Sequence, residues 1–339
     1  MKLDIITIGD AFEDVLILPT DLKVKEDHSY TTGLGVSFEL GEKIPLKEVD
    51  YEIGGSACNT AVGFARLGLK AGLNCMVGDD TPAEKIISRL KEENVDTSNV
   101  DVSKKMKTNF SVIFRLNQGR TIFIYHGLKD YSALRLKKSL NTKWFFLAPV
   151  GEGVGPLVSD LIAQVSEKNA YVAWNPGAIQ IKEGASKYRH LLKNIKVLFL
   201  NREESIKFLD YPVRPSDEEV LKKLHSMGPE IVVITNGKHG AKAYDGTNYY
   251  SAPVINRTVR VDSTGAGDSF TVGFLCKLIS SNWGGNVELD KNAVISNALK
   301  WGILNSNSVV QKIGAQSGLL TLNQMEKGLE SEGLKIEIN

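Results

Sequence analysis

The 339-residue sequence predicts an α/β protein, in which a mostly parallel sheet is covered by helices on both faces and a second, smaller sheet stands apart from it. Three observations carry this expectation. Short apolar runs of strand length alternate with helical patterns between Lys70 and Thr235. The stretch from about Ala11 to Tyr51 holds β-branched and alternating segments with no helical period. From Gly265 onward the pattern is that of three successive helices.

Taken in order, Asp4–Gly9 reads as a short buried strand ending in glycine. Val15–Leu18, Val36–Leu40 and Ile44–Ile53 are strand candidates of the small sheet. Gly54-Gly55 opens a helix over Ala57–Leu67, which Gly68 closes as a C-terminal cap. A strand at Lys70–Val77 precedes a helix at Pro82–Asn94, with the proline in its first turn. Thr108–Leu116 and Thr121–His126 flank Asn117-Gln118-Gly119-Arg120, a hairpin signature, and join the small sheet. That sheet therefore draws on residues 11–53 and 107–127. Strands at Lys143–Leu147, Ala170–Trp174, Val197–Leu200 and Ile231–Thr235 alternate with helices. No internal repeat or low-complexity tract divides the chain, so residues 1–339 form one large domain with a minor appendage.

Composition narrows the function. Hydrophobic residues make up 42% and charged residues 24%, enough for a substantial core. Forty-one Lys and Arg nearly cancel forty Asp and Glu, which removes the electrostatic case for nucleic acid or an anionic membrane. Cys58, Cys75 and Cys276 fit neither a disulfide framework nor a zinc site and read as buried free thiols. The N-terminus lacks the basic segment and apolar core of a signal peptide, and no run approaches ~18 apolar residues, so a cytoplasmic protein is expected.

The strongest motif is Asp262-Ser-Thr-Gly-Ala-Gly-Asp268-Ser-Phe, followed at once by the helical apolar pattern Phe270, Phe274, Leu275, Leu278, Ile279. Gly265-Ala266-Gly267 thus sits where a helix begins. There the backbone N–H groups lack intrahelical partners and the macrodipole adds positive charge, which makes an anion hole. An aspartate in that turn repels a phosphate unless the two serve different partners. The N–H groups can hold a transferring phosphoryl group while Asp268 takes the proton of the attacking hydroxyl. A lone Gly-x-Gly-Asp would read as an ordinary capped helix; the nine-residue string points to function. Phe270 stands where a dinucleotide fingerprint needs its third glycine, and no G-x-x-x-x-G-K-[ST] occurs.

With Gly54-Gly55-Ser56-Ala57-Cys58-Asn59-Thr60-Ala61, continuing through Ala65-Arg66-Leu67-Gly68, this motif makes the chain resemble the ribokinase-like carbohydrate kinases, the PfkB family. The two signatures lie about 210 residues apart. Asn201-Arg202-Glu203-Glu204, Thr235-Asn236-Gly237-Lys238-His239-Gly240 and Gly314-Ala315-Gln316 resemble three further family segments. The resemblance implies a three-layer α/β/α sandwich with a small β-sheet lid, ATP and Mg²⁺ as phosphoryl donor and metal, and a sugar or nucleoside as acceptor.

It also implies roles. Asp14 would bind two sugar hydroxyls, with a solvated loop acid as the plain reading. Gly54 and Gly55 would bring backbone close to the substrate, and Asn59 would bond a hydroxyl. Ser56 departs from relatives with a longer polar residue there. Asn201 and Glu204 would hold water around Mg²⁺, although Asn followed three residues later by Glu is also a capping box. Thr235, Gly237 and Gly240 would shape the nucleotide groove, with Lys238 a solvated loop lysine. Asp262 would help organise a monovalent-cation (K⁺) site with carbonyls near Val309, Lys312 and Gly314. His126, at the end of the lid hairpin, reads as a surface histidine with a substrate contact as the alternative, and Trp144, Trp174 and Trp301 read as core or groove bulk. A phosphorylated sugar would need a basic cluster in the lid, for which Lys43, Arg115, Arg120 and Lys129 are the candidates. The exposed lid edges make a homodimer through the lid the candidate assembly. Competing classes are a nicotinamide-dependent oxidoreductase, which needs a glycine fingerprint that Gly9-Asp10-Ala11 does not supply, and a non-catalytic ligand-binding relative.

Overall fold

The structure is a computed structural model that describes residues 2–20, 22, 24–30, 33–116, 119–131, 134, 136, 142–151, 155–167, 170–255, 259–285 and 288–339. The strands are β1 (Ile5–Ile8), β2 (Phe12–Pro19), β3 (Val24–Glu26), β4 (Leu34–Val36), β5 (Leu46–Gly54), β6 (Ala71–Gly78), β7 (Asp96–Ser103), β8 (Asn109–Leu116), β9 (Gly119–Tyr125), β10 (Trp144–Leu147), β11 (Tyr171–Trp174), β12 (Ile195–Asn201), β13 (Ile231–Thr235), β14 (Ala241–Tyr244), β15 (Tyr249–Ala252) and β16 (Glu337–Ile338). The helices are α1 (Ser56–Arg66), α2 (Thr81–Glu92), α3 (Gly155–Glu167), α4 (Ala178–Glu183), α5 (Arg189–Leu192), α6 (Arg202–Phe208), α7 (Asp217–His225), α8 (Ala266–Ser280), α9 (Lys291–Val309) and α10 (Leu322–Glu332).

The large sheet runs β16-β15-β14-β13-β12-β11-β10-β1-β6-β7. From β7 to β13 every neighbouring pair is parallel; β14, β15 and β16 add antiparallel. Its central strands β1, β6 and β10 are buried along their whole length because both faces are covered. Phe146 packs in the layer of α1, α2, α8, α9 and α10, and its neighbour Phe145 in the layer of α3 to α7. That alternation is the three-layer sandwich the sequence led one to expect. The three C-terminal helices also stand as expected.

The small sheet is separate, in the order β5-β2-β8-β9. The hairpin reading holds for β8 and β9, whose register runs from Phe110↔Tyr125 to Leu116↔Gly119; Asn117 and Gln118 lie outside the described residues. One expectation fails. Of Val36–Leu40 only Val36 is in a strand, and β3 and β4 pair with each other as a separate ribbon rather than with the small sheet. The V-S-F-E-L alternation imitates a strand, but Phe38 packs on the Phe114 ring, 5.9 Å between centroids, and Leu40 is fully exposed.

Candidate active site

A parallel sheet binds ligands beyond the carboxyl ends of its strands, at the point where the strand order reverses. Here β1 is flanked by β10 and β6, so the chain winds away from it in both directions. Asp10 follows β1, Asn201 closes β12 and Thr235 closes β13, and these last two are register partners. The small sheet meets the same region through Gly54, where β5 gives way to α1.

The N-terminus of α8 forms the floor. Gly265 adopts a left-handed conformation, φ 72°, and no side chain caps the helix. A Cβ on Gly267 would meet nothing within 4 Å, so open space lies in front of this turn. Asp268 stands in the turn, and Asn59 Nδ2 donates to its Oδ2 at 2.9 Å. Asn59 Oδ1 in turn accepts from Gln316 Nε2 at 3.0 Å. One amide thus joins the two sequence signatures to the C-terminal segment. Burial pushes the Asp268 carboxyl above the usual carboxylate range, and the hydrogen bonds from Asn59 and Ser56 only partly oppose this. A raised carboxyl is a better proton acceptor than a solvated one, which suits a base.

Asp14 sits on β2, opposite Ser111 on one side and Glu52 on the other. Ser111 Oγ donates to Asp14 Oδ1 at 2.5 Å. Burial raises the Asp14 carboxyl, and the serine opposes the rise. Gly54 makes room for this carboxylate: a Cβ on it would lie 1.9 Å from Asp14 Oδ2. Gly55, φ 90°, packs against the Asp10 carbonyl. The glycine pair therefore serves the close packing of Asp14 and β1 as well as the strand-to-helix turn.

Asn201 and Glu204 form a reciprocal capping box. Asn201 Oδ1 accepts from the Glu204 N–H, and Glu204 Oε2 from the Asn201 N–H, both at 2.8 Å. Burial raises the Glu204 carboxyl, and the Asp268 charge adds to the rise against the Asn201 N–H and Lys207. These two carboxylates therefore feel each other. The Thr235 loop turns through Gly237–His239, and Gly240, φ 84°, lies so close to the Ala252 carbonyl that no side chain fits. Lys238 is exposed, as expected. Among the described residues no group of three or more His, Cys, Asp or Glu forms a metal cage.

Asp262 is crowded. Its Oδ1 accepts from the Thr264 N–H at 2.9 Å, Thr264 Oγ1 at 2.7 Å and Arg120 Nη1 at 2.9 Å, and its Oδ2 from the Gly314 N–H at 3.1 Å. Burial alone would raise this carboxyl; the Thr264 and Gly314 hydrogen bonds and the Arg120 charge outweigh it and hold the group below the usual range.

Several participants escaped the sequence reading. Ser111 and Glu52 carry no local signal, and Gln316 was legible only as the end of Gly314-Ala315-Gln316, not as the partner of Asn59. Arg66 Nη1 donates to the Gln316 carbonyl at 2.7 Å while its Nη2 pairs with Glu93 at 2.6 Å, so the end of α1 holds the C-terminal segment. His126 is not a surface residue: it is half-buried, its ring edge-on to Phe12 at 5.7 Å, with Nδ1 shielded from solvent. The candidate basic cluster is dispersed. Arg115 pairs with Glu48 and Asp50, Arg120 with Asp262, and Lys129 lies over the Tyr125 ring. Trp144, Trp174 and Trp301 are core residues.

The sequence profile of the pfkB family of carbohydrate kinases matches residues 29–322. The chain belongs to the PfkB family. The oxidoreductase reading falls with that match. Relatives within the family include the 5-dehydro-2-deoxygluconokinase of Shouchella clausii, 25% identical over 83% of this chain and 87% of its own. The nucleoside kinase of Methanocaldococcus jannaschii is also 25% identical, over 88% and 94%. Among solved structures, Arabidopsis thaliana ribokinase complexed with ribose and ATP superposes with a TM-score of 0.76 at 18% identity, covering 97% of this chain and 99% of that one. An E. coli chain described as a ribokinase II, solved with ATP and Mg²⁺, gives a TM-score of 0.71 at 16% identity over 97% and 99%. The sandwich with its small sheet is thus the ribokinase-like fold. No helix among the described residues is long and apolar enough to cross a membrane.

Proposed function

We propose that this PfkB carbohydrate kinase transfers the γ-phosphoryl group of Mg-ATP to a hydroxyl of a small sugar, with Asp268 as general base. The Asn59–Asp268 hydrogen bond at the open N-terminus of α8 carries the reading. It joins a buried carboxylate with raised proton affinity to a helix start that no side chain caps and where the Ala266 N–H makes only a 3.3 Å bond to the Ser263 carbonyl. The N–H groups of Gly265, Ala266 and Gly267 receive the phosphoryl oxygens, and Asp268 takes the hydroxyl proton as the oxygen attacks. Asn59 fixes the rotamer of Asp268. Asp14, held by Ser111, grips two sugar hydroxyls, and the small sheet acts as a lid that excludes water. Thr235, Gly237 and Gly240 shape the nucleotide groove.

Mg²⁺ fits the donor set. Burial and the Asp268 charge raise the Glu204 carboxyl, and a hydrated divalent ion nearby would relieve that cost. Asn201 and Glu204, engaged with each other's backbone, would hold such an ion through water. When bound, it neutralises charge on the phosphates.

Arg115 and Arg120 are committed to carboxylates, which favours an acceptor that carries no phosphate over a phosphorylated sugar. The relatives keep two acceptor classes in view, sugar-derived acids and nucleosides. ADP release from Mg-ATP, measured over pentoses, hexoses, 5-dehydro-2-deoxygluconate and nucleosides, tests the proposal. Turnover is expected with a sugar. Turnover with nucleosides alone selects the nucleoside kinase reading, and no turnover with any compound contradicts both. Three buried free thiols and an ATP substrate suit a cytoplasmic setting. The β9 edge, exposed along its length with Ile122, Phe123, Ile124 and Tyr125, suits a second copy of the chain; sedimentation should show a dimer.

A further inference from the structure

The family resemblance places a monovalent cation at Asp262, and the residues here do not fit one. Every contact to its Oδ1 is a donor, and one of these, Arg120 Nη1, already carries a positive charge. Its Oδ2 is taken by the Gly314 N–H. The carbonyl of Val310, beside the carbonyls expected to complete the shell, accepts from both Val261 and Asp262 N–H, and the Val309 carbonyl accepts from Lys312 N–H. A second cation at Asp262 would lie against the guanidinium and be repelled by it.

The arginine does not come from this part of the fold. Arg120 stands on β9, at the far edge of the small sheet, and reaches across 142 residues of sequence to Asp262. The same Nη1 donates to Ser263 Oγ at 2.8 Å. Asp262 and Ser263 lead directly into the Gly265 turn and α8. On the opposite edge, β5 places Glu52 against Gly314 and Ser317, whose Oγ donates to Glu52 Oε1 at 3.1 Å. The small sheet thus touches, from its two edges, both segments that bracket the phosphoryl-binding turn.

We propose that Arg120 takes the place of the monovalent cation. The lid delivers the positive charge to Asp262, so this chain works without K⁺ and its phosphoryl site is completed only when the lid is closed. Arg120 is a positioning residue: it acts through Asp262 and Ser263 on the α8 turn and not on the reacting atoms. With the lid in this position Arg120 ties β9 to the segment that leads into the Gly265 turn.

The proposal rests on the kinase reading for its consequence, but its physical core can be tested without a substrate. Thermal unfolding of the full chain is measured in potassium chloride and in tetramethylammonium chloride at equal ionic strength. Equal midpoints are expected; a saturable, potassium-specific rise overturns the proposal. With an acceptor found from the panel, wild type should turn over equally in the two salts. Arg120→Gln should lose at least about tenfold in kcat, less than the roughly 10²–10³-fold of a donor on the reacting oxygen because Arg120 acts through Asp262, with nucleotide affinity retained. Arg120→Lys, which keeps the charge, should recover much of it. Full activity of Arg120→Gln in the potassium-free buffer overturns the proposal. If wild type turns over nothing in the panel, the kinase reading fails, while the unfolding comparison still decides whether a potassium site exists.

Discussion

Gly54→Ala is predicted to act on the enzyme through Asp14 rather than through the backbone's approach to substrate. A Cβ at Gly54 would lie 1.9 Å from Asp14 Oδ2 and 2.7 Å from its Cγ. Real Cβ atoms essentially never come within 3.0 Å of a neighbour, so the carboxylate must retreat by about 1.1 Å. It cannot do so without re-aiming the oxygen that Ser111 holds at 2.5 Å. A misplacement of that size costs on the order of 10²-fold, about 2.7 kcal/mol of transition-state binding. The assay is steady-state kinetics with saturating Mg-ATP and varied acceptor. Acceptor kcat/KM should fall about 10²-fold while the KM for ATP stays near wild type. A double-mutant cycle sharpens the test. In an Asp14→Ala background the clash is gone, so Gly54→Ala should add little. Additive losses would refute the reasoning, because they would mean that Gly54 serves the substrate independently of Asp14.

Other predictions follow from the same contacts. Asp268→Asn should raise the unfolding midpoint at pH 7 to 8: burial raises the folded carboxyl, so ionisation weakens the fold as pH climbs from about 4 through that raised value. The gain should fade as pH falls and vanish below about pH 4, where both folded and unfolded aspartate bind the proton; a midpoint difference independent of pH would contradict this. Asn59→Leu leaves Gln316 Nε2 without its amide partner and removes a donor from Asp268, so stability should fall by about 1–3 kcal/mol in urea titration. The acid limb of its pH–rate profile should move to higher pH. Gly265→Ala forces an L-residue to φ 72° with its Cβ 2.7 Å from Ala315, and should cost at least about 1–2 kcal/mol together with most of the activity.

Legibility in the sequence tracked burial. The central strands were readable because Ile5–Ile8, Trp144–Leu147 and Ile231–Thr235 are apolar runs covered on both faces. β7, Asp96–Ser103, was not seen: as an edge strand of sequence DTSNVDVS it needs only a partly buried face. β14 and β15 are short antiparallel additions with no α-helix between them, and β16 is a two-residue edge strand that returns only after α8, α9 and α10. The site motifs were visible as strings, but not their wiring. Nothing in Asn59 tells that its two amide ends go to Asp268 and Gln316, more than 200 residues on. Arg120 looked like one of several lid cations, and Asp262 like part of a monovalent-cation site; only the fold brings the two together, at 2.9 Å. His126 was misjudged because a hairpin end usually points to solvent, whereas this one abuts Phe12 and the loop after β10.

The central claim is that Asp268 accepts the proton of the attacking hydroxyl. The direct measurement is kcat of Asp268→Asn against wild type at pH 8, with an acceptor from the panel and with nucleotide affinity determined by calorimetry. The account predicts a fall of about 10²–10⁴-fold with ATP affinity within a few-fold of wild type. Near-wild-type turnover by this variant would show that another group takes the proton.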